Sequence, residues 1–289
     1  MFDMATYLTE RRKLIERALD AVLPPLSARP RNLHRAMRRS VLCGGKRLRA
    51  VMCLASAEAS GGSANRAILP AAAVELLHAY TLIHDDLPCM DDDDTRRGKP
   101  SCHVVFGPAL AILAGDALQA LAFETAARCI PPPPYRPDAI VAELARAAGS
   151  RGVVGGQVDD LSADPRRATP RMLRSIHARK TAALFIAAVR MGAISAGASP
   201  APLDALTSYA ANFGLAFQIA DDLADQGPSP KKRKRALDNS SCLLVYAASD
   251  ARRLAEMLLS KAVRALAVLP GGQSRPLVEL AGLVQSKLD

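Results

Sequence analysis

Two groups of aspartates, far apart in the chain, have the composition of a metal site. The first lies in the segment HDDLPCMDDDDTRRGKPS and comprises Asp85, Asp86 and Asp91, and the second lies in FQIADDLAD and comprises Asp221, Asp222 and Asp225. Both groups adjoin apolar sequence, where an unpaired carboxylate is unfavourable. Mg²⁺ bound through oxygen would relieve that cost. Arg96 and Arg97 follow the first group, and carboxylates beside guanidinium groups predict a diphosphate site.

The spacing of the first group requires a bend in the backbone. Asp85 and Asp91 are six residues apart, which is about 120° around an ideal helix. Pro88 lies between them and cannot continue regular helical hydrogen bonding. A bend there could bring both carboxylates to one point. The alternative is an acidic surface loop, and for Asp93 and Asp94 we prefer that interpretation.

The spacing of the second group fits one face of a helix. Asp221 and Asp225 are four residues apart and therefore lie one turn apart on the same face. Acidic pairs are also common at solvated helix ends, which is the alternative. The preceding residues, 213–220, are almost wholly apolar and favour a buried position.

Composition favours a helical protein of a reducing compartment. Among 289 residues, 49% are hydrophobic and only 4% aromatic, and alanine and leucine favour helix over strand. The six cysteines form no CxxC pair, which argues against zinc or disulfides. The first residues are charged and amphipathic, unlike a signal peptide, so we expect a cytoplasmic protein. The net charge of +10 fits an arginine-rich composition, anionic substrates or nucleic acid, and does not choose among them.

Helical periodicity runs through nearly the whole chain. An apolar stretch at residues 104–127 includes Asp116 and Glu124, so we expect a core helix there and no stable membrane insertion. No convincing strand pattern is present, and the fold class is predicted to be all-α with about ten or more helices. The predicted helices are residues 7–22, 32–43, 48–59, 68–86, 109–129, 137–149, 153–162, 170–192, 202–225, 249–268 and 277–288.

Six ordered segments resemble the short-chain trans-prenyltransferases of bacteria, the farnesyl and geranylgeranyl diphosphate synthase family. They are GGKRLR at 44–49, ELLHAYTLIHDDLPCMDDDDTRRGKPSCHVVFG at 75–107, AILAGDALQ at 111–119, GGQ followed by Asp160 at 155–160, IHARKTAAL at 176–184 and FQIADDLAD at 217–225. The resemblance implies one polyprenyl synthetase domain over residues 1–289, an isoprenoid-synthase-type bundle around a deep central cavity. Residues 1–29 would form its N-terminal helix region and residues 226–239 a basic active-site loop.

The resemblance also implies a reaction and a metal set. An allylic diphosphate is ionised, the allylic cation alkylates isopentenyl diphosphate, and a proton is lost. The departing diphosphate requires concentrated positive charge, from three Mg²⁺ ions and from basic side chains. Asp85 and Asp91 would hold Mg²⁺ from one wall with Asp86 in support. Asp221 would hold it from the facing wall, helped by Asp222 and Asp225.

Further residues match the family's substrate-binding positions. Arg96 and Lys180 match the groups that bind the allylic diphosphate. The set that matches the isopentenyl diphosphate site is Lys46, Arg49, His78 and Arg97. Thr181 and Gln218 match polar groups near the reacting carbons, whereas His84, His103 and His177 are expected to be structural.

The segment after Asp225 departs from the family. Its glycines are replaced, and Arg233 falls at the position of the family lysine. Arg233 could cap the diphosphate when the loop closes, or the loop could be a disordered basic segment. The run KKRKR at 231–235 lacks interleaved aromatic residues, so no nucleic-acid partner is expected.

Product length and assembly are the least constrained predictions. A bulky Tyr80, five residues before Asp85, with Thr81 beside it, favours C15 farnesyl diphosphate from C5 and C10 allylic diphosphates. The alternatives are a C20 synthase and a weakly active partner subunit of a prenyl synthase. A terpene cyclase would not need the Lys46, Arg49 and His78 set. The resemblance further implies a homodimer.

Overall fold

The computed structural model describes residues 2–225, 240–270 and 272–288, which form thirteen α-helices and one short β-hairpin. The hairpin pairs β1 (Thr95–Arg96) with β2 (Lys99–Pro100) in antiparallel register. The helices are α1 (Met4–Val22), α2 (Arg31–Leu42), α3 (Leu48–Ala59), α4 (Ile68–Asp85), α5 (Cys102–Phe106), α6 (Pro108–Ala127), α7 (Ala139–Ala148), α8 (Val153–Leu161), α9 (Pro170–His177), α10 (Ala183–Ser195), α11 (Pro200–Ala224), α12 (Ala248–Ala265) and α13 (Arg275–Gln285).

The core is built from the helices that are apolar around most of their circumference. Helix α4 packs along α6, α3 along α10, and α11 between α10 and α12. Leu76 of α4, Met52 of α3 and Phe185 of α10 are fully buried. A helix that is hydrophobic all round is expected in the interior, where every face meets another helix. The predicted all-α fold class is confirmed.

The helix that the sequence predicts at 170–192 is interrupted by a π-helical turn, Ala178–Ala182, between α9 and α10. Gly156 of α8 lies against the backbone of Lys180, so closely that a Cβ atom at this position would collide with it. The missing side chain lets α8 approach the π turn and support it. Periodicity could not reveal this turn, because α10 is apolar around most of its circumference and has no one-sided pattern that an extra residue would shift.

The short hairpin was not predicted either. Its turn places Arg97 and Gly98 in left-handed backbone conformations, with φ of 54° and 73°. Two-residue strands are too short to produce an alternating pattern. The hairpin fixes the positions of Arg96 and Arg97.

Two segments, Ala64–Asp85 and Pro108–Ala127, are long and apolar enough to cross a membrane by length and composition. In the first, 61% of the most apolar window is buried inside the protein, as in a core helix, and in the second only 39% is buried. Such helices are weak evidence for membrane insertion. Helix α6 nevertheless exposes an apolar face.

Candidate active site

The first aspartate group sits where α4 ends and the chain folds back. The backbone amide of Asp86 donates to Leu82 at 3.1 Å, and the amide of Asp91 returns to the carbonyl of Asp85 at 2.8 Å. Asp92 adopts a left-handed conformation with φ of 52°, which completes the reversal. The bend that the sequence predicts around Pro88 is therefore present, and it brings Asp91 beside Asp85.

Asp85 lies in a desolvated and electrostatically crowded position. Burial raises its pKa to about 7, Lys180 opposes this effect, and Asp91 reinforces it. A carboxylate in such surroundings gains from a nearby cation, since its charged form is poorly solvated. Lys180 belongs to the π turn, and its charge acts to lower the pKa of Asp85.

Asp86 positions the guanidinium group of Arg96. The Nε atom of Arg96 donates to Asp86 Oδ1 at 2.9 Å, and its Nη2 atom contacts the same oxygen. Nη2 also donates to Asp93 Oδ2 at 3.3 Å. Asp86 is only 2% exposed, so this ion pair is largely shielded from water. Asp93, for which an acidic surface loop was predicted, lies outside the helices and strands, is partly exposed and also pairs with Arg96.

Lys180 is fixed by an acidic residue of α8. Its Nζ atom forms an ion pair with Asp160, and the second carboxylate oxygen of Asp160 is buried and has no hydrogen-bond partner in the described part of the chain. Burial acts to lower the pKa of Lys180, but Asp160 and then Asp85 outweigh it, so the net shift is upward. Lys180 is therefore a stable cation between Asp160 and Asp85.

A chain of side-chain hydrogen bonds connects the π turn to the second aspartate group. Thr181 Oγ1 donates to Gln218 Oε1 at 2.6 Å, and Gln218 Nε2 donates to Asp222 Oδ1 at 2.8 Å. The other oxygen of Asp222 accepts the backbone amide of Cys242 at 2.7 Å. Asp222 thus anchors the chain where the described part resumes after residue 239.

Asp221 meets a lysine that sequence analysis missed. The Nζ atom of Lys287, in the turn after α13, lies 3.4 Å from Asp221 Oδ1 and 5.0 Å from the centre of the Phe217 ring. Burial raises the pKa of Asp221, and Lys287 opposes that shift. The charge of Lys287 is also the main reason that the pKa of Lys46 is lowered. Only the tertiary fold brings this lysine near the site, since the surrounding sequence carries no motif.

Arg49 and His78 form a buried pair. Arg49 Nη1 lies 3.2 Å from His78 Nε2, and the guanidinium group stacks over Phe185 at 4.4 Å from the ring centre. Burial lowers the pKa of Arg49 to about 10, and burial together with Arg49 lowers the pKa of His78 well below its usual value. His78 is therefore neutral and accepts from Arg49. Arg49 Nε is buried and has no hydrogen-bond partner among the described residues.

The double glycine before α3 makes room for Arg97. Gly44 and Gly45 have φ of 95° and 134°, and a Cβ atom on Gly45 would lie 2.7 Å from Arg97 Cζ. Arg97 Nη1 donates to the carbonyl of Gly44. The glycines therefore let the guanidinium group of the hairpin reach the start of α3.

The arginine between Lys46 and Arg49 has a structural role. Arg47 is 3% exposed, and its Nε lies 2.6 Å from Glu16 Oε1. Its Nη1 lies 3.5 Å from Glu75 Oε2, and its Nη2 donates to the carbonyl of Val41 at 2.5 Å. These contacts tie α1, α2 and α4 together. They also turn Arg47 inward, so that only its neighbours remain as candidates for substrate binding.

The two residues that are predicted to set product length, Tyr80 and Thr81, make different contacts. The Tyr80 ring is half-buried and meets His84 edge-on at a centroid distance of 4.9 Å, and His84 Nε2 lies 3.1 Å from the carbonyl of Ile112 in α6. Thr81 donates to the carbonyl of His78 at 2.9 Å within its own helix. Tyr80 therefore packs in the seam between α4 and α6. Arg233 and the predicted basic loop at 226–239 lie outside the described residues.

Among the described residues, the carboxylates of the two aspartate groups do not converge on a common metal position. Within residues 2–225, 240–270 and 272–288, no group of three or more histidine, cysteine or acidic side chains is arranged to hold a metal ion. Their chemistry nevertheless fits a hard cation, since the donors are all carboxylates and Asp85 and Asp221 are both destabilised as bare anions.

Comparison with known proteins agrees with this geometry. The polyprenyl synthetase family profile matches residues 30–267. The chain belongs to the polyprenyl synthetase family. It is 39% identical over 98% of its length to "Heterodimeric geranylgeranyl pyrophosphate synthase large subunit 1, chloroplastic" of Arabidopsis thaliana, 79% of which is covered. It is also 39% identical over 98% of its length to a dimethylallyltranstransferase of Fischerella ambigua, 83% of which is covered.

Solved structures of polyprenyl synthetases share the same fold. A geranyltransferase from Legionella pneumophila superposes with a TM-score of 0.88 at 31% identity, covering 99% of this chain and 97% of its own. An FPP/GFPP synthase from Zymomonas mobilis superposes with a TM-score of 0.83 at 36% identity, covering 96% and 98%. The predicted resemblance is confirmed, and the protein is a member of the trans-prenyltransferases.

Proposed function

We propose that this trans-prenyltransferase condenses isopentenyl diphosphate with allylic diphosphates and that its end product is geranylgeranyl diphosphate, C20. The observation that carries the proposal is the position of Lys180. This lysine joins the π turn to Asp160 and influences Asp85 across the site, while Arg96 is held beside the same carboxylate by Asp86. Carboxylates with two positioned cations next to them are suited to bind an anionic group through a metal.

The metal proposed here is Mg²⁺, held by Asp85 at the end of α4 and Asp91 in the following turn, and by the aspartates at the end of α11, Asp221 with Asp222 and Asp225. When bound, Mg²⁺ supplies the positive charge that stabilises a departing diphosphate. Arg96 and Lys180 would bind oxygens of the allylic diphosphate directly. Their positions are fixed by Asp86 and Asp160, so little side-chain ordering is required on binding.

The second diphosphate would be bound by Lys46, Arg49 and Arg97. Neutral His78 orients the guanidinium group of Arg49, whose Nη1 atom lies 3.2 Å from His78 Nε2. Arg97 is directed to the same end of α3 by the two glycines. Thr181 and Gln218 would turn oxygen dipoles toward the reacting carbons, where cationic charge develops.

A C20 product is favoured over the C15 product expected from Tyr80. Most of the relatives are named geranylgeranyl synthases, including a protein of Cyanophora paradoxa that is 44% identical over 78% of this chain and 75% of its own length. The packing of Tyr80 against His84 also turns its ring toward α6. A ring in that seam would admit a tail longer than C15 and would still limit growth beyond C20, which supports the longer product.

The test of the chemistry is incorporation of labelled isopentenyl diphosphate into extractable product with geranyl diphosphate as primer. We expect turnover with Mg²⁺ and none with a chelator. Turnover by the purified protein alone also separates an active enzyme from a weakly active partner subunit. The absence of incorporation with C5, C10 and C15 primers would refute the proposed activity.

We further propose that the exposed apolar face of α6 joins two copies of this chain. Ile112 and Leu113 are 42% and 55% exposed, and Val104 and Val105 of the adjoining α5 are also exposed. Contiguous apolar surface of this kind is typical of protein interfaces. Light scattering of Leu113→Glu should give a monomer, whereas Leu283→Glu, an exposed leucine on α13, should remain dimeric. A monomeric wild-type protein would contradict this assignment.

A further inference from the structure

An outer cleft lies on the face of α11 that carries Leu215 and Ile219, one turn before Asp222. It is bounded by α9, α11, α12 and the turn at residues 242–246, and its volume is about 340 Å³. This size lies in the range of small-molecule sites. The floor is apolar and consists of Leu173, Leu215, Ile219, Tyr246, Leu254 and Leu258.

The rim of this cleft is cationic. Arg171 and Arg174 of α9 stand three residues apart on one side of their helix, and Lys261 of α12 lines the cleft with them. All three are exposed. No acidic residue of the described chain lines the cleft. The rim therefore attracts anions, while the floor offers a surface for an apolar chain.

We propose that this outer cleft binds a linear prenyl diphosphate, with its tail on the apolar floor and its diphosphate between Arg171, Arg174 and Lys261. A free anion would gain nothing from the floor, and a neutral lipid would gain nothing from three cations. A helical peptide would require a longer and more open groove. The identity of the ligand rests on the proposed function, because the product of that reaction is an amphiphile of this class.

The position of the cleft couples it to the second aspartate group. Cys242 and His177 line it. The amide of Cys242 donates to Asp222 at 2.7 Å, and His177 Nε2 lies 2.8 Å from the carbonyl of Ser240. A ligand in the cleft would therefore contact the residues that hold Asp222. Occupancy of the cleft would let accumulated product act on the catalytic site from outside it.

The chain contains no tryptophan, so a single introduced tryptophan can report on the cleft. Tyr246→Trp would be titrated with geranylgeranyl thiodiphosphate, an unreactive analogue, in the presence of a chelator and saturating isopentenyl diphosphate. Under the proposed function, binding at the aspartate groups depends on Mg²⁺, and saturating isopentenyl diphosphate occupies the metal-free subsite of Lys46, Arg49 and Arg97. Binding in the cleft relies on its arginines and lysine. We expect a saturable change in emission without metal, with inorganic diphosphate and geranylgeraniol each binding roughly tenfold more weakly.

Two pairs of charge variants make the test specific. The double substitution Arg171→Gln with Arg174→Gln should weaken binding roughly tenfold. Arg252→Gln with Arg264→Gln removes the same charge from exposed positions of α12 outside the cleft and should leave the affinity unchanged. The proposal is overturned by equal losses in both pairs, by a neutral alcohol that binds as tightly as the diphosphate, or by no saturable change.

Wild-type protein provides a check that does not depend on the reporter. A photoreactive prenyl diphosphate, irradiated in chelator, should label the peptide that contains Met257 on the rim of the cleft. Labels confined to α4 and the inner face of α11 would contradict the outer site. Neither measurement requires turnover, so failure of this proposal is distinguishable from failure of the proposed reaction.

Discussion

The backbone amide of Asp91 donates to the carbonyl of Asp85 at 2.8 Å, although the two residues are six apart and follow the end of a long helix. This contact closes the turn around Pro88 and brings Asp91 beside Asp85 at the C-terminal end of α4. Across from them, Lys180 is held by Asp160. The side chains proposed to bind the metal differ in burial. Single substitutions can therefore separate their contributions.

Asp85→Ala or Asp221→Ala should lower turnover by orders of magnitude, because each removes a proposed Mg²⁺ ligand. Asp94→Ala is the matched control, since the side chain of Asp94 is 86% exposed in the same acidic segment. We expect it to retain near wild-type rates under saturating substrates. Comparable rates in all three variants would contradict the metal assignment.

Mg²⁺ affinity should depend on pH through Asp85. Its pKa is raised to about 7 from an ordinary value of 3.8, so a proton competes with the metal below neutrality. The affinity should fall about tenfold per pH unit below about pH 7. Without metal, the stabilisation from protonated Asp85 is complete below its unfolded pKa and is lost as the pH rises through about 7.

The measurement is calorimetric titration of Mg²⁺ at about pH 6 and about pH 8, with Asp85→Asn as the control that cannot ionise. The variant should bind more weakly and lose most of the pH dependence. Equal affinities of the wild-type protein at both pH values would show that the bound state does not require Asp85 to lose a proton.

Arg47→Ala should destabilise the fold, because it leaves Glu75 buried without its counter-charge. The expected loss in the free energy of unfolding is about 3–5 kcal/mol. Lys46→Ala, one residue earlier, should raise the KM for isopentenyl diphosphate and leave the urea midpoint unchanged. A lower urea midpoint in Lys46→Ala together with a raised KM in Arg47→Ala would contradict these assignments. Lys46 would then have the structural role and Arg47 the binding role.

Lys287→Gln should weaken the binding of isopentenyl diphosphate, because Lys287 adds positive charge beside Lys46 and Asp221. We expect a higher KM for isopentenyl diphosphate with a smaller change in the KM for the allylic substrate. Arg252→Gln, which removes a charge from an exposed position of α12, is the control. An unchanged KM would make the contact between Lys287 and Asp221 a surface ion pair without function.

Tyr80→Ala should lengthen the product beyond that of the wild type, because it opens the seam between α4 and α6 one turn before Asp85. Tyr80→Phe keeps the ring that packs against His84 and should keep the product length. Chromatography of the reaction products from both variants gives the answer. An unchanged product from Tyr80→Ala would remove this residue as a determinant of length.

The sequence predicts the parts of this protein that local rules control. Apolar periodicity predicted the positions of the long helices, and Pro88 predicted the turn that brings Asp91 back to Asp85. Lys287 was missed because its partner, Asp221, is chosen by the tertiary fold. The π turn around Lys180 depends on the glycine contact from α8, which leaves no periodic signal.

The most direct measurement is the size of the product made by purified protein from Mg²⁺, isopentenyl diphosphate and, separately, C5, C10 and C15 allylic diphosphates. The account predicts that all three primers are elongated to a common C20 end point. A C15 end point would keep the condensation and reject the proposed length. No product from any primer would contradict the catalytic role assigned to the two aspartate groups.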